Sequence, residues 1–315
     1  MANISTKAQQ MPASAIRKLL PFADAAKKEG VKVYHLNLGQ PDIKSPECAL
    51  AAIKNYSAAN ISYSHSGGLM ELRKGLVDKY YRKIGIDINV DELIVTVAGS
   101  ESVNLALEIA CDPGDEVLVL EPFYTNYNTF AFMNQLTLKA IATDIRNGFQ
   151  IPPIEEFEKA ITPKTKAILI CNPGNPTGTQ YSKESMLALG EIARKHDLFL
   201  LSDEVYREFC YTDEPHFSAM NIPGLEQNVI LIDSVSKRYN LCGARIGCIV
   251  SHNKDVMAAV MKFAQARLCA PVLGQMAAIG ALDTPDCYFD EVKEEYIRRR
   301  DYMIERLNQM EGVFT

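Results

Sequence analysis

Ser234-Val-Ser-Lys237, with Arg245 eight residues further on, gathers residue types that can hold a carbonyl compound and an anion in one place. A lysine amine condenses with an aldehyde once its surroundings bring its pKa down from about 10.4. Two hydroxyls and a guanidinium can hold a phosphate, the guanidinium through a charge-assisted fork. The run follows the apolar Val229-Ile-Leu-Ile-Asp233, so these side chains fall where a strand ends, which is where open α/β sheets bind ligands. Two other stretches share that placement. Asn172-Pro-Gly-Asn-Pro-Thr-Gly178 follows Ala167-Ile-Leu-Ile170, and Asp203-Glu-Val-Tyr206 follows Leu198-Phe-Leu-Leu201. Taken singly, each has a plainer explanation: a turn for the Asn/Pro/Gly run, a cap for the aspartate, a solvated side chain for the lysine.

Short apolar runs at 93–97, 116–120, 137–141, 166–171, 198–202, 229–233 and 245–250 read as strands. Helical spacing predicts helices over 46–56, 68–83, 100–110, 153–160, 183–195, 253–265, 271–282 and 286–311. Strands alternating with helices predict an α/β fold, a mostly parallel seven-stranded sheet covered on both faces as three α/β/α layers. All three motifs then lie at carboxyl ends of strands.

A chain of 315 residues, 47% apolar with a net charge of −6, fits a globular enzyme and argues against a nucleic-acid surface. The eight cysteines form no C-x-x-C and no zinc spacing, and the five histidines are scattered, so no metal is expected. Free thiols, and the lack of an apolar leader or membrane-length run, point to a cytoplasmic protein. No two glycines are spaced as G-x-G, which removes the dinucleotide-binding fingerprint.

The order N-P-x-N-P-T-G, then D-E-x-Y, then S-x-S-K with a following arginine resembles the class I/II aminotransferases, fold-type I enzymes that use pyridoxal 5'-phosphate (PLP). The resemblance implies Lys237 as the Schiff-base lysine, which moves a proton between the substrate's Cα and the cofactor's C4′. It implies Asp203 at the pyridine nitrogen, with Asn175 and Tyr206 on the phenolic oxygen. Ser234, Ser236, Arg245 and the Gly99-Ser100-Glu101 helix start would hold the phosphate, the helix start worth roughly 0.3–1 kcal/mol. Tyr124 would stack on the ring, although Phe123 and Tyr127 compete for that place and core packing explains all three. Tyr63 would reach the phosphate of a second subunit, making a homodimer with shared sites. Gly39 would lie near the substrate, or be only a turn glycine before Pro41.

The resemblance further implies an N-terminal arm and small-domain segment over 1–45, a PLP-binding domain over 46–285, and a connecting helix over 286–315. The family's small domain extends beyond this length, so a C-terminally shortened enzyme with weak turnover and better-preserved cofactor binding is expected. The usual substrate-carboxylate arginine has no counterpart here, and the surroundings of Arg267 do not match a dicarboxylate site. The expected reaction transfers an amino group between an amino acid and a 2-oxo acid; aspartate with 2-oxoglutarate is the commonest choice in the subgroup it resembles, and alanine, aromatic amino acids and kynurenine stay open as substrates. A PLP-dependent C–S β-lyase, and a PLP-binding domain without turnover, remain as alternatives.

Overall fold

A computed structural model describes residues 2–37 and 39–315 of the chain. Its seven strands are β1 Leu93–Thr96, β2 Glu116–Glu121, β3 Thr137–Ala142, β4 Thr165–Cys171, β5 Phe199–Asp203, β6 Val229–Ser234 and β7 Gly247–Val250. They form one sheet in the order β1-β7-β6-β5-β4-β2-β3. Pairing is parallel except around β7, which runs antiparallel to both β1 and β6. Strands β1, β2, β4, β5 and β6 therefore end on the same side, and their carboxyl ends build one rim.

Twelve α-helices are present among the described residues: α1 Thr6–Gln10, α2 Leu20–Lys28, α3 Glu47–Lys54, α4 Met70–Gly75, α5 Ala98–Ala110, α6 Asn126–Met133, α7 Ile154–Ala160, α8 Lys183–Lys195, α9 Val235–Arg238, α10 Lys254–Arg267, α11 Val272–Ala281 and α12 Asp286–Asn308. Alternate strand residues feed two cores. Val95, Leu118, Ile168, Leu200 and Leu231 pack on one side with α3, α8 and α11. Ile94, Val119, Leu169, Leu201 and Ile232 pack on the other with α5, α6 and α10. This period of two on a sheet covered twice explains why the inner strands carry apolar residues on both faces, whereas the edge strand β3 keeps Thr137 and Lys139.

The expected 68–83 helix divides: after α4 the chain makes a π-helical turn, Leu76–Tyr81. That turn carries both Tyr80 and Tyr81 into the interior, which an unbroken α-helix with its 100° step would not do so readily. Helix α6 was not expected, because its aromatic residues do not fall on a single helical stripe. Helix α12 ends at Asn308 and meets the N-terminal segment through Arg299–Asp42 at 2.7 Å and Tyr288 Oη donating to Lys44 O at 3.0 Å.

Candidate active site

Helix α9 is four residues long, too short to hold itself, since a first turn orders several residues for one hydrogen bond. Ser234 caps it: the Ser234 Oγ accepts from Ser236 N at 3.0 Å, lies 2.8 Å from Ser236 Oγ and donates to Ile246 O at 3.0 Å. Ser234, Ser236 and Arg238 are buried, while Lys237 alone points to the rim, half-buried. Its Nζ donates to Gly39 O at 2.6 Å and lies 6.0 Å from the Tyr206 ring centroid. Burial pulls the Lys237 pKa below the ordinary lysine value; Cys242 opposes the shift and the charge of Arg245 adds to it. The Tyr206 hydroxyl in turn accepts from Asn175 Nδ2 at 3.0 Å, bringing the N-P-x-N and D-E-x-Y motifs together.

Three carboxylates are buried at the ends of β5 and β6, and two of them have a guanidinium. Glu204 pairs with Arg207, and Asp233 pairs with Arg238 through both oxygens at 2.7 and 2.6 Å. Burial works against ionisation of each, yet the neighbouring arginines hold both pKa values below the usual carboxylate range. Asp203 is the exception. It is 6% exposed, and among the described residues its side-chain oxygens accept only from Tyr127 Oη at 2.7 Å and Val205 N at 3.3 Å. Burial therefore wins and pushes its pKa up to about 6. A cation beside Asp203 would reverse that penalty. A protonated pyridine nitrogen fits this requirement, and Tyr206 and Tyr124 lie close enough to feel the Asp203 charge.

Next to the Ser234 cap of α9 the chain forms a cup whose groups could hold an anion. At the N-terminus of α5, a Cβ built on Gly99 would lie 3.6 Å from the Ser234 Cβ, so the helix start abuts the serine. Gly247 makes that approach possible: a Cβ there would fall 2.6 Å from Ala98 C, 2.7 Å from Gly99 N and 2.8 Å from Asp233 O. Ala98 (φ 61°) and Arg245 (φ 56°) flank the cup in left-handed conformations, which cost non-glycine residues about 1–2 kcal/mol. Among the described residues Arg245 enters no ion pair; its Nη1 donates to Cys242 O at 3.0 Å. Amides of a 13-residue helix, two hydroxyls and an uncommitted guanidinium suit a phosphate.

Other predicted residues fall differently. The Glu101 carboxylate turns back to accept from Val97 N at 2.5 Å and pairs with Arg267 Nε at 3.1 Å. An anion at the helix start would be repelled by that carboxylate, so only the backbone of Glu101 suits the cup. Arg267 also donates to Ser66 O and Val95 O, which ties it to the edge of β1. Tyr124 packs edge-on against Tyr127, with ring centroids 5.4 Å apart, and its hydroxyl accepts from Asn126 Nδ2 at 2.7 Å. Tyr127 is fully buried beneath it as the hydrogen-bond partner of Asp203, a role not found by weighing it only as a stacking ring. The Y-x-x-Y spacing was the available signal. Tyr63 stands 79% exposed. A cavity of about 960 Å³ opens elsewhere, at the β1 edge between Arg73, Glu92, His252 and Met257, and none of the predicted site residues lines it.

The class I and II aminotransferase family matches residues 31–314. This chain belongs to that family. The aspartate/prephenate aminotransferase of Thermus thermophilus is 31% identical over 98% of this chain and 80% of its own length. The aspartate aminotransferase of Thermotoga maritima is 31% identical over 98% and 80%. Among solved structures, the alanine aminotransferase of Pyrococcus furiosus superposes with a TM-score of 0.90 at 33% identity, over 98% of this chain and 80% of that one. This aminotransferase therefore shares the mixed, mostly parallel seven-stranded sheet of its relatives.

Proposed function

We propose that this aminotransferase holds PLP between Lys237, Asp203 and the cup at Gly99, Ser234, Ser236 and Arg245, and moves the amino group of aspartate to a 2-oxo acid. The observation that carries this reading is the buried Asp203 carboxylate, the one of three at the strand ends without an arginine. Bound PLP would supply an electron sink for charge developing at the substrate's Cα. Asp203, ionised, would keep the ring nitrogen protonated. Tyr206, fixed by Asn175, would donate to the ring oxygen. Lys237, with its pKa lowered by burial, would take the proton from Cα, a lowering that leaves more of the amine free to act as a base.

Aspartate as donor is supported by the relatives, several of which are aspartate aminotransferases, and by a Thermus thermophilus enzyme solved with maleate, a four-carbon dicarboxylate. We also propose a cytoplasmic homodimer in which Tyr63, exposed in the single chain, completes the partner's phosphate cup.

Aspartate carrying a labelled nitrogen, supplied with 2-oxoglutarate and PLP, tests the reaction. Label recovered in glutamate supports amino transfer. Label released as ammonia, with none in glutamate, overturns it in favour of elimination.

A further inference from the structure

A buried ionic network lies directly behind the rim, and it joins the two segments that carry the site. One segment is the turn after β5, with Asp203, Glu204, Tyr206, Arg207 and Glu208; the other is the end of β6 and α9, with Asp233, Ser234, Ser236, Lys237 and Arg238. Arg238, 2% exposed, bonds to Asp233 through Nη2 at 2.7 and 2.6 Å and to Glu208 Oε1 through Nε at 2.8 Å. Its guanidinium lies 3.5 Å from the Tyr80 ring centroid, and Tyr80 Oη donates to Glu208 while accepting from Arg207 Nη1 at 3.0 Å. Tyr81 Oη donates to Asp233 at 2.8 Å. The π-helical turn thus places two successive tyrosines on the two halves of the network.

We propose that Arg238 is a positioning residue: by bridging Asp233 and Glu208 it fixes α9 against the Tyr206 turn, and so sets where the Lys237 amine stands. The inference rests on the reading of Lys237 as the reactive amine. Alternation supports it. Asp203 and Ser234 face the ligand side of their strand ends, while their neighbours Glu204 and Asp233 face the network. Lys237 and Arg238 divide in the same way within α9. Buried ion pairs are poor stabilisers compared with apolar packing of equal volume, so a network of this size is better explained by the geometry it specifies. A lysine could not replace Arg238, because one ammonium lacks the fork that reaches two carboxylates at once.

The test uses the full chain and the variants Glu208→Gln and Arg238→Lys. Glu208→Gln removes the charge from one arm of the bridge, weakening it, and leaves the Arg238–Asp233 pair intact, so it keeps the fold if the larger change does not. Two quantities are read: the pH profile of Lys237 acetylation by competitive labelling without cofactor, and PLP affinity by absorbance titration. The proposal expects at least a tenfold loss of PLP affinity in both variants. It also expects the Lys237 labelling midpoint to move up toward that of surface lysines as the amine gains water. PLP affinity within twofold of the parent, with an unmoved Lys237 midpoint, would overturn it, whatever happens to the melting temperature. Because labelling needs no cofactor, it reads the anchor even in a chain that failed to bind PLP, and that failure would count against the functional reading alone.

Discussion

Tyr127 donates its hydroxyl to Asp203 at 2.7 Å, and this is the strongest support the buried carboxylate receives. A hydrogen bond to a charged acceptor contributes about 1.5–3 kcal/mol. Tyr127→Phe is therefore expected to raise the Asp203 pKa above about 6 and to weaken PLP binding roughly tenfold near neutral pH. A fluorescence titration with PLP across pH checks both effects. Unchanged affinity would mean that Asp203 does not hold the ring nitrogen.

Asp203 also makes the stability of the cofactor-free chain depend on pH. Its folded pKa, about 6, lies above the ordinary 3.8, so the folded state binds more protons between those values. The contribution of Asp203 to stability must then fall as pH rises from below 4 to above 6, by about 3 kcal/mol in total. Asp203→Asn is expected to remove that loss, making the cofactor-free variant more stable than the parent at pH 8 and about equal to it at pH 4. Urea unfolding at the two pH values checks this. The same variant should bind PLP far more weakly, a gain in stability matched by a loss of site.

Glu204 should behave in the opposite way, although it is the next residue. Its carboxylate accepts from Ser202, Ser218 and Ala219 and neutralises Arg207. Glu204→Ala leaves a buried guanidinium unpaired, a change that costs about 3–5 kcal/mol. Denaturant unfolding should show that loss at pH 8, where Asp203→Asn shows a gain.

Gly247→Ala tests the cup. The added methyl would meet backbone atoms of Ala98, Gly99 and Asp233 within 2.8 Å, and backbone cannot step aside as a side chain can. A destabilisation of about 1–3 kcal/mol is expected from the overpacking. Displacing the α5 N-terminus should also weaken PLP binding more than binding of pyridoxal, which lacks the phosphate. Equal losses for the two ligands would place the phosphate elsewhere.

The sheet and most of its covering helices were legible because Val/Ile/Leu runs of strand length leave few alternatives on a doubly covered sheet. The pairing directions were less so: β7 has the same composition as the parallel strands, and only the tight return through Cys242–Ala244 turns it antiparallel. The three motif strings placed Lys237, Asp203, Asn175 and Tyr206 at strand ends, since the chemistry there demands particular residue types at fixed spacing. What the sequence could not show is which charges neutralise one another. Arg238–Glu208 and Glu101–Arg267 bridge residues 30 and 166 positions apart, and their pairing is a product of the fold. Tyr127 was hidden for a related reason: an aromatic near a ring-binding site reads as a stacking surface until its hydroxyl is seen to end on Asp203.

Reductive trapping tests the central claim most directly. The chain is incubated with PLP, treated with borohydride, digested and mapped by mass. The account predicts one modified peptide, labelled at Lys237, with labelling lost in Lys237→Ala and weakened in Asp203→Asn. No stable modification, or label spread over the surface lysines, would contradict it.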